Sequence, residues 1–102
     1  MKKAILIDER DNVATVTSDV LEGETVEILS AEGRTVTTPK TVDAISFGHK
    51  IAMRDFDIGA RVVKYGETIG LASKPIKTGE WVHTHNVESV AVPTSTFKRD
   101  EE

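Results

Sequence analysis

Short runs of β-branched and apolar residues recur along the chain, each bounded by turn-forming residues. Val13-Ala14-Thr15-Val16-Thr17, Thr25-Val26-Glu27-Ile28-Leu29, Thr35-Val36-Thr37-Thr38, Ile51-Ala52-Met53, Arg61-Val62-Val63-Lys64-Tyr65 and Thr68-Ile69-Gly70-Leu71-Ala72 predict strands. Val26 and Ile28 alternate with Thr25 and Glu27, the period-two pattern of a half-buried strand. Ala31-Glu32-Gly33-Arg34, Pro39-Lys40-Thr41 and Gly66-Glu67 punctuate these runs. Ala4–Ile7 reads as an edge strand or a flexible lead-in. No segment sustains a helical period, so at most a short helical turn is expected, near Thr41–Ala44 with Thr41 as its cap. Val90-Ala91-Val92 closes the folded part. The pattern therefore predicts a single, mostly β domain over residues 1–92, followed by a polar tail over 93–102.

A rhythm runs through the turns. Val20-x-x-Gly23-x-x-Val26, Phe56-x-x-Gly59-x-x-Val62 and Ile76-x-x-Gly79-x-x-Val82 share one shape, each preceded by an alanine: Ala14, Ala52 or Ala72. The apolar residue anchors a bend, the glycine permits positive φ, and the valine starts the next strand. The unequal intervals argue against a solenoid and for one turn geometry reused in a compact β domain.

Composition narrows the function. The chain has 102 residues, enough for one domain with a small core, so a site shared with a partner chain is easier to build than a deep self-contained one. The net charge of −4 argues against nucleic acid, which needs a clustered positive field. Cysteine is absent, which excludes disulfides and thiol catalysis. The chain holds no apolar run of membrane-spanning length, and the apolar stretch after Met1-Lys2-Lys3 is too short for a signal peptide. A cytoplasmic protein is expected.

The chemistry-bearing residues fall in three places. Glu80–Val87 reads as a strand, on which His83 and His85 share one face ~6–7 Å apart at the backbone. That spacing suits one metal ion or one anion, with His49, Glu67 or Asp55 as a third ligand. Surface histidines give the same pattern, so the pair alone is weak. Phe47-Gly48-His49-Lys50 sets an imidazole beside an ammonium, an arrangement that lowers basicity and suits a carboxylate ligand, although a solvated turn has the same composition. Lys64-Tyr65-Gly66-Glu67 closes a strand. Lys64 and Glu67 read locally as a surface pair, and Tyr65 as a pocket-lining residue. Trp81 reads as packing. Nucleophile elbows, phosphate-cradling loops and dinucleotide fingerprints are missing from the sequence.

Four pieces, in order, carry a resemblance: Asp11-Asn12-Val13-Ala14-Thr15, Phe47-Gly48-His49-Lys50-Ile51-Ala52, Val63-Lys64-Tyr65-Gly66-Glu67-Thr68-Ile69-Gly70, and Gly79-Glu80-Trp81-Val82-His83-Thr84-His85-Asn86-Val87-Glu88-Ser89. Together they resemble the small N-terminal domain of the altronate and galactarate dehydratase family, and the module is similar to the small subunit of sulfolactate sulfo-lyase. The resemblance covers roughly residues 10–90. It implies a SAF-type domain with a β-clip fold, related to the antifreeze-like domain of sialic acid synthases. It also implies dehydration of a sugar acid, with ferrous iron as the metal. In the fused enzymes a large catalytic domain follows this module, so a large catalytic dehydratase subunit is the expected partner and would hold much of the iron site. Carried onto this chain, the resemblance and the residue types suggest catalytic roles for His49, Lys50 and His83. They suggest substrate binding by Lys64, Tyr65, Glu67 and Asn86, and metal ligation by His83 and His85.

Three functions follow from different classes. One is the small subunit of a sugar-acid dehydratase, inactive alone, with a sulfolactate sulfo-lyase subunit as a variant. Another is a β-clip domain that binds a sugar acid without catalysis. The last is a structural module that supports a large subunit or builds a homo-oligomer.

Overall fold

The computed structural model describes residues 1–89, so Val90–Val92 and the tail at 93–102 lie outside the described residues. Nine strands follow in chain order: β1 (Lys2–Ile5), β2 (Val13–Val16), β3 (Val26–Leu29), β4 (Thr35–Thr37), β5 (Lys50–Ala52), β6 (Arg61–Lys64), β7 (Glu67–Ala72), β8 (Trp81–Val82) and β9 (Val87–Glu88). They form a six-stranded sheet in the order β4-β3-β1-β2-β5-β8 and a three-stranded sheet in the order β6-β7-β9. The expected mostly β domain is present.

Three local expectations are overturned. β1 is neither an edge strand nor a lead-in: it lies inside the large sheet, parallel to β3 and antiparallel to β2, with Ala4 fully buried. Thr41 caps no helix, and the described residues contain no helical turn. Its buried hydroxyl instead donates to the carbonyls of Leu21 and Glu24, tying one turn to another. Glu80–Val87 is not one strand, since β8 ends at Val82 and residues 83–86 form a turn.

The turn rhythm occurs four times, not three, and in two pairs. Ile45-x-x-Gly48-x-x-Ile51 is the further copy. Val20 and Ile45 exchange both backbone hydrogen bonds, 2.8 and 2.9 Å, and Phe56 and Ile76 do the same at 2.7 and 3.0 Å. Asp19 accepts from the Phe47 amide and Asp55 from the Thr78 amide, both at 2.8 Å, at matching positions of the two pairs. In every copy the glycine N–H donates to the carbonyl four residues before the apolar anchor of the paired copy: Gly23 to Thr41, Gly48 to Val16, Gly59 to Ala72 and Gly79 to Ala52. Ala52 and Ala72, two of the three alanines that precede a copy, thus hold acceptor positions, whereas before Val20 that position is Val16 and not Ala14. All four glycines lie at φ +85° to +91°, where an L side chain is strained.

Each pair of turns closes over its own core. Val20, Val26, Ile45 and Ile51 belong to one cluster, and Phe56, Val62, Ile76 and Val82 to the other. Fully burying such a side chain stabilises the fold by about 1.5–3 kcal/mol. β2 and β5 divide the two cores, because alternation along a strand sends Ala14 and Ile51 one way and Val13 and Ala52 the other. Lys50 and Thr15, the next register pair, therefore point toward the side on which β6, β7 and β9 pack.

Candidate functional site

Trp81 is the centre of the site and is fixed at three points. Its amide donates to Asp43 Oδ2 at 3.0 Å, its carbonyl accepts from Asn86 Nδ2 at 2.8 Å, and its indole Nε1 donates to His49 Nδ1 at 3.1 Å. Three imidazoles surround the indole. His83 stacks on it at 5.4 Å with planes 12° apart, His85 lies 4.6 Å away at a tilt, and His49 sits 5.7 Å from it. The His49 and His83 rings are 4.8 Å apart. The sequence expectation of a packing tryptophan thus understates Trp81, which also organises every histidine of the chain.

Asn86 builds the turn that makes this possible. It is buried, its Oδ1 accepts from the His83 amide at 2.9 Å, and its own amide donates to the His83 carbonyl at 3.1 Å. Its side chain is spent on the turn rather than presented to a ligand. His83 and His85 consequently do not share a strand face as expected. They meet on Trp81 because the backbone bends between them.

Lys50 joins the cluster from β5, where it pairs with Val82 on β8. Together with Ile69, His83, Thr84, Val87 and Ser89 it lines a cleft of about 220 Å³ between the two sheets. Burial lowers the basicity of Lys50, and the nearby Lys64 ammonium lowers it further. Burial likewise lowers that of His83, reinforced by the positive charge of His49, Lys50 and His85. Both effects favour the neutral form of the His83 imidazole. His49 is constrained in another way: its Nδ1 accepts the indole N–H, so the ring proton of its neutral form sits on Nε2 and points away as a donor.

The hairpin expected to bind substrate lies beside this cluster. Lys64 faces Glu67 across β6 and β7, and its ammonium lies 5.0 Å from the centroid of the Tyr65 ring. Tyr65 is exposed and adopts φ +59°. Only Lys64 of the three is close enough to act on Lys50. Glu67 and Tyr65 stand at the exposed hairpin tip, outside the residues that line the cleft. The tip is held by Asp11 and Asn12, for which residue type alone suggests no role. Buried Asp11 accepts from the amides of Asp8, Tyr65 and Gly66 at 3.0, 3.1 and 2.8 Å. Asn12 accepts from the Val63 amide at 2.8 Å and donates to the Arg61 carbonyl at 2.9 Å. An Asx pair at the start of a strand was the available signal for both.

The fit of this cluster to iron is poor. Among the described residues no three His, Asp or Glu side chains converge as metal ligands. Nδ1 of His49 is taken by Trp81, and the Asp55 carboxylate is taken by the amide and hydroxyl of Thr78 at 2.8 and 2.9 Å. Glu67 is exposed at the hairpin tip. A roomier cleft, about 380 Å³, lies among Leu6–Arg10 and Ser30–Glu32, but it holds no imidazole. Its Asp8 is already engaged by Arg10 at 2.9 Å, which holds that carboxyl down at about 2.

Comparison with known proteins identifies the family. The family model of the altronate/galactarate dehydratase SAF domain matches residues 2–90. An altronate dehydratase of Bacillus subtilis is 38% identical over 89 residues, which is 87% of this chain and 17% of that protein. An altronate dehydratase of Escherichia coli is 41% identical over 85 residues, 83% of this chain and 16% of that protein. The alpha subunit of a (2R)-sulfolactate sulfo-lyase from Chromohalobacter salexigens is 47% identical over 47 residues, 46% of this chain and half of that protein. The chain thus spans about a sixth of the length of the altronate dehydratases it matches.

Proposed function

This chain belongs to the altronate/galactarate dehydratase SAF-domain family, and on that premise we propose that it is the small subunit of a cytoplasmic sugar-acid hydro-lyase, working with a large catalytic partner. The reaction removes water from a 2,3-dihydroxy acid to give a 2-keto-3-deoxy acid. The observation that carries this reading is the convergence of Lys50 and His83 at one cleft, with the His49 ring 4.8 Å from that of His83 and with burial favouring the neutral form of His83. A scaffold has no need of such an arrangement.

Such an elimination needs a base at the carbon next to the carboxylate, a donor for the developing enediolate, and an acid for the leaving hydroxyl. His83 is suited to be the base, because burial and its positive neighbours favour its neutral form and it lines the cleft. Lys50, a half-buried cation in the same cleft, is suited to hold the carboxylate and stabilise the enediolate. His49 presents an Nε2–H and so serves as a hydrogen-bond donor rather than as the base. Lys64 adds positive field. The donor set among the described residues does not fit an iron site, so the iron implied by the resemblance is assigned to the partner.

A second reading keeps the same α-proton chemistry but expels sulfite. It is favoured by the likeness to sulfo-lyase alpha subunits over 47 and 45 residues, at 47% and 40% identity. One experiment separates the two. The tagged chain is captured from its native lysate and assayed anaerobically with ferrous iron on altronate, galactarate and sulfolactate. A co-purifying large chain and a 2-keto-3-deoxy acid support the dehydratase, and sulfite release supports the lyase. A chain eluting alone without turnover leaves the non-catalytic binding domain ahead.

A further inference from the structure

Among the described residues Tyr65 is the one non-glycine residue at positive φ, +59°, and its side chain stands in solvent. Lys64 pairs with Glu67, so Tyr65 and Gly66, at +59° and +73°, are the two central residues of the β6–β7 hairpin turn. A turn of this kind needs positive φ at both places, and Asn, Asp or Gly ordinarily takes the first. An aromatic ring there is strained, and at 60% exposure it adds little to either core. The strained turn is nevertheless fixed from several sides. Asp11 accepts from the amides of Tyr65 and Gly66 at 3.1 and 2.8 Å, and Asn12 accepts from the Val63 amide at 2.8 Å. The Arg10 guanidinium packs so closely on Gly66 that a Cβ there would overlap it. The Lys64 ammonium lies 5.0 Å from the centroid of the Tyr65 ring. Backbone strain that the surroundings enforce in this way marks function. A rigid, outward aromatic that loses little freedom on contact is the kind of side chain that anchors an interface.

We propose that Tyr65 anchors this chain to its large catalytic partner, with the β6–β7 tip at the centre of the interface. The identity of that partner rests on the dehydratase reading; the rigid tip does not. The surroundings of the tip favour this occupant. Lys64, at the base of the turn, lies close enough to Lys50 to lower its basicity, so a partner seated on the tip borders the cleft and can complete it. The family match ends at residue 90, and β9, just before it, runs antiparallel to β7 and therefore toward the tip. The altronate dehydratases are about six times as long as the matched segment, and a remainder joined at that end sets off in the direction of the tip. Tyr65, which does not line the cleft, is thus a docking residue and not a substrate residue.

The test uses the captured complex. The large chain, identified by mass spectrometry as a relative of the rest of an altronate dehydratase, is separated and titrated calorimetrically with the full native chain and its variants. Tyr65→Asn removes the ring and leaves a residue suited to left-handed backbone. The urea midpoint of this variant should stay level or rise, while its Kd for the large chain rises about tenfold or more. Tyr65→Phe, which keeps the ring, should retain most of the affinity. Amide-exchange protection gained in the complex should centre on residues 63–67. Equal affinity of the native chain and Tyr65→Asn overturns the anchor, and protection that leaves 63–67 unchanged overturns the interface. An unchanged Kd with a raised KM moves Tyr65 to the substrate. A dimer of the native chain in sedimentation that Tyr65→Asn abolishes gives the tip to a second copy. Either result overturns the docking role. Turnover by a complex whose affinity ignores Tyr65 removes the docking role and leaves the hydro-lyase. Binding that depends on Tyr65 in a complex without turnover does the reverse. A chain that elutes alone overturns both.

Discussion

Replacing Trp81 by Phe removes one hydrogen-bond donor from the site and leaves an aromatic ring to support His83 and His85. In the native chain the indole N–H bonds His49 Nδ1 at 3.1 Å, which places the imidazole proton on Nε2. A neutral hydrogen bond of this kind is worth about 0.5–1.5 kcal/mol, and 1.4 kcal/mol corresponds to a tenfold ratio. Loss of the donor should therefore move the His49 tautomer ratio toward Nδ1–H by up to about tenfold. Long-range nitrogen–proton correlation spectra at pH 8 report this directly, because protonated and unprotonated ring nitrogens resonate far apart. The native chain should show His49 as Nε2–H, and Trp81→Phe should show a mixture, while His85 keeps its native pattern. The same variant in the reconstituted enzyme should lose up to about tenfold in kcat/KM, with KM little changed if His49 donates only in the transition state. A native His49 found as Nδ1–H would refute the tautomer argument and return His49 to the candidates for base.

Other consequences are equally open to measurement. Asp11→Ala strands three amides that now share one buried carboxylate and should cost about 3–5 kcal/mol in urea unfolding, with the β6–β7 hairpin losing amide protection first. Gly79→Ala should be far worse than Gly23→Ala: both sit at positive φ, worth about 1–2 kcal/mol, but only at Gly79 would a Cβ overlap the Lys40 carbonyl oxygen. Chemical denaturation of the two variants side by side checks the difference. His83 should titrate below its ordinary 6.5 in an NMR pH series, since burial and the neighbouring positive groups disfavour its charged form. As an unprotonated base it remains active through neutral pH, and kcat/KM should fall only once acid protonates it. Asp55 is held below the ordinary carboxylate range by the Thr78 amide and hydroxyl. Its contribution to stability is present above the unfolded value of 3.8 and is lost as pH falls through the lower folded value, which acid unfolding of Asp55→Asn against the native chain should reveal.

The sequence by itself determined a great deal here. Alternation in Thr25–Leu29 and the β-branched runs specified strands, because a half-buried pleated surface selects for them wherever they pair. The apolar-x-x-Gly-x-x-apolar turns were legible because positive φ leaves a glycine at a fixed offset. The fourth copy, at Ile45–Ile51, is hidden in the sequence because its tip, Phe47-Gly48-His49-Lys50, has the composition of a reactive cluster as well as that of a turn. The motifs around Asp11, His49, Lys64 and Trp81 are legible as those of the family to which the chain belongs.

What the tertiary structure decided is which residues meet. Strand order put β1 inside the sheet, and no local pattern encodes that, since an edge strand and a central strand of a few residues read alike. The strand reading of Glu80–Val87 failed at Asn86, whose side chain bonds the His83 amide and the Trp81 carbonyl and so outcompetes the ladder for those groups. That turn, together with the pairing of β5 and β8, gathers His49, His83 and His85 on one indole from positions more than thirty residues apart. The protonation states followed from the same packing. Residue type offers an imidazole as base, donor or ligand alike. Only the indole N–H on His49, and the burial and positive neighbours of His83, separate those roles.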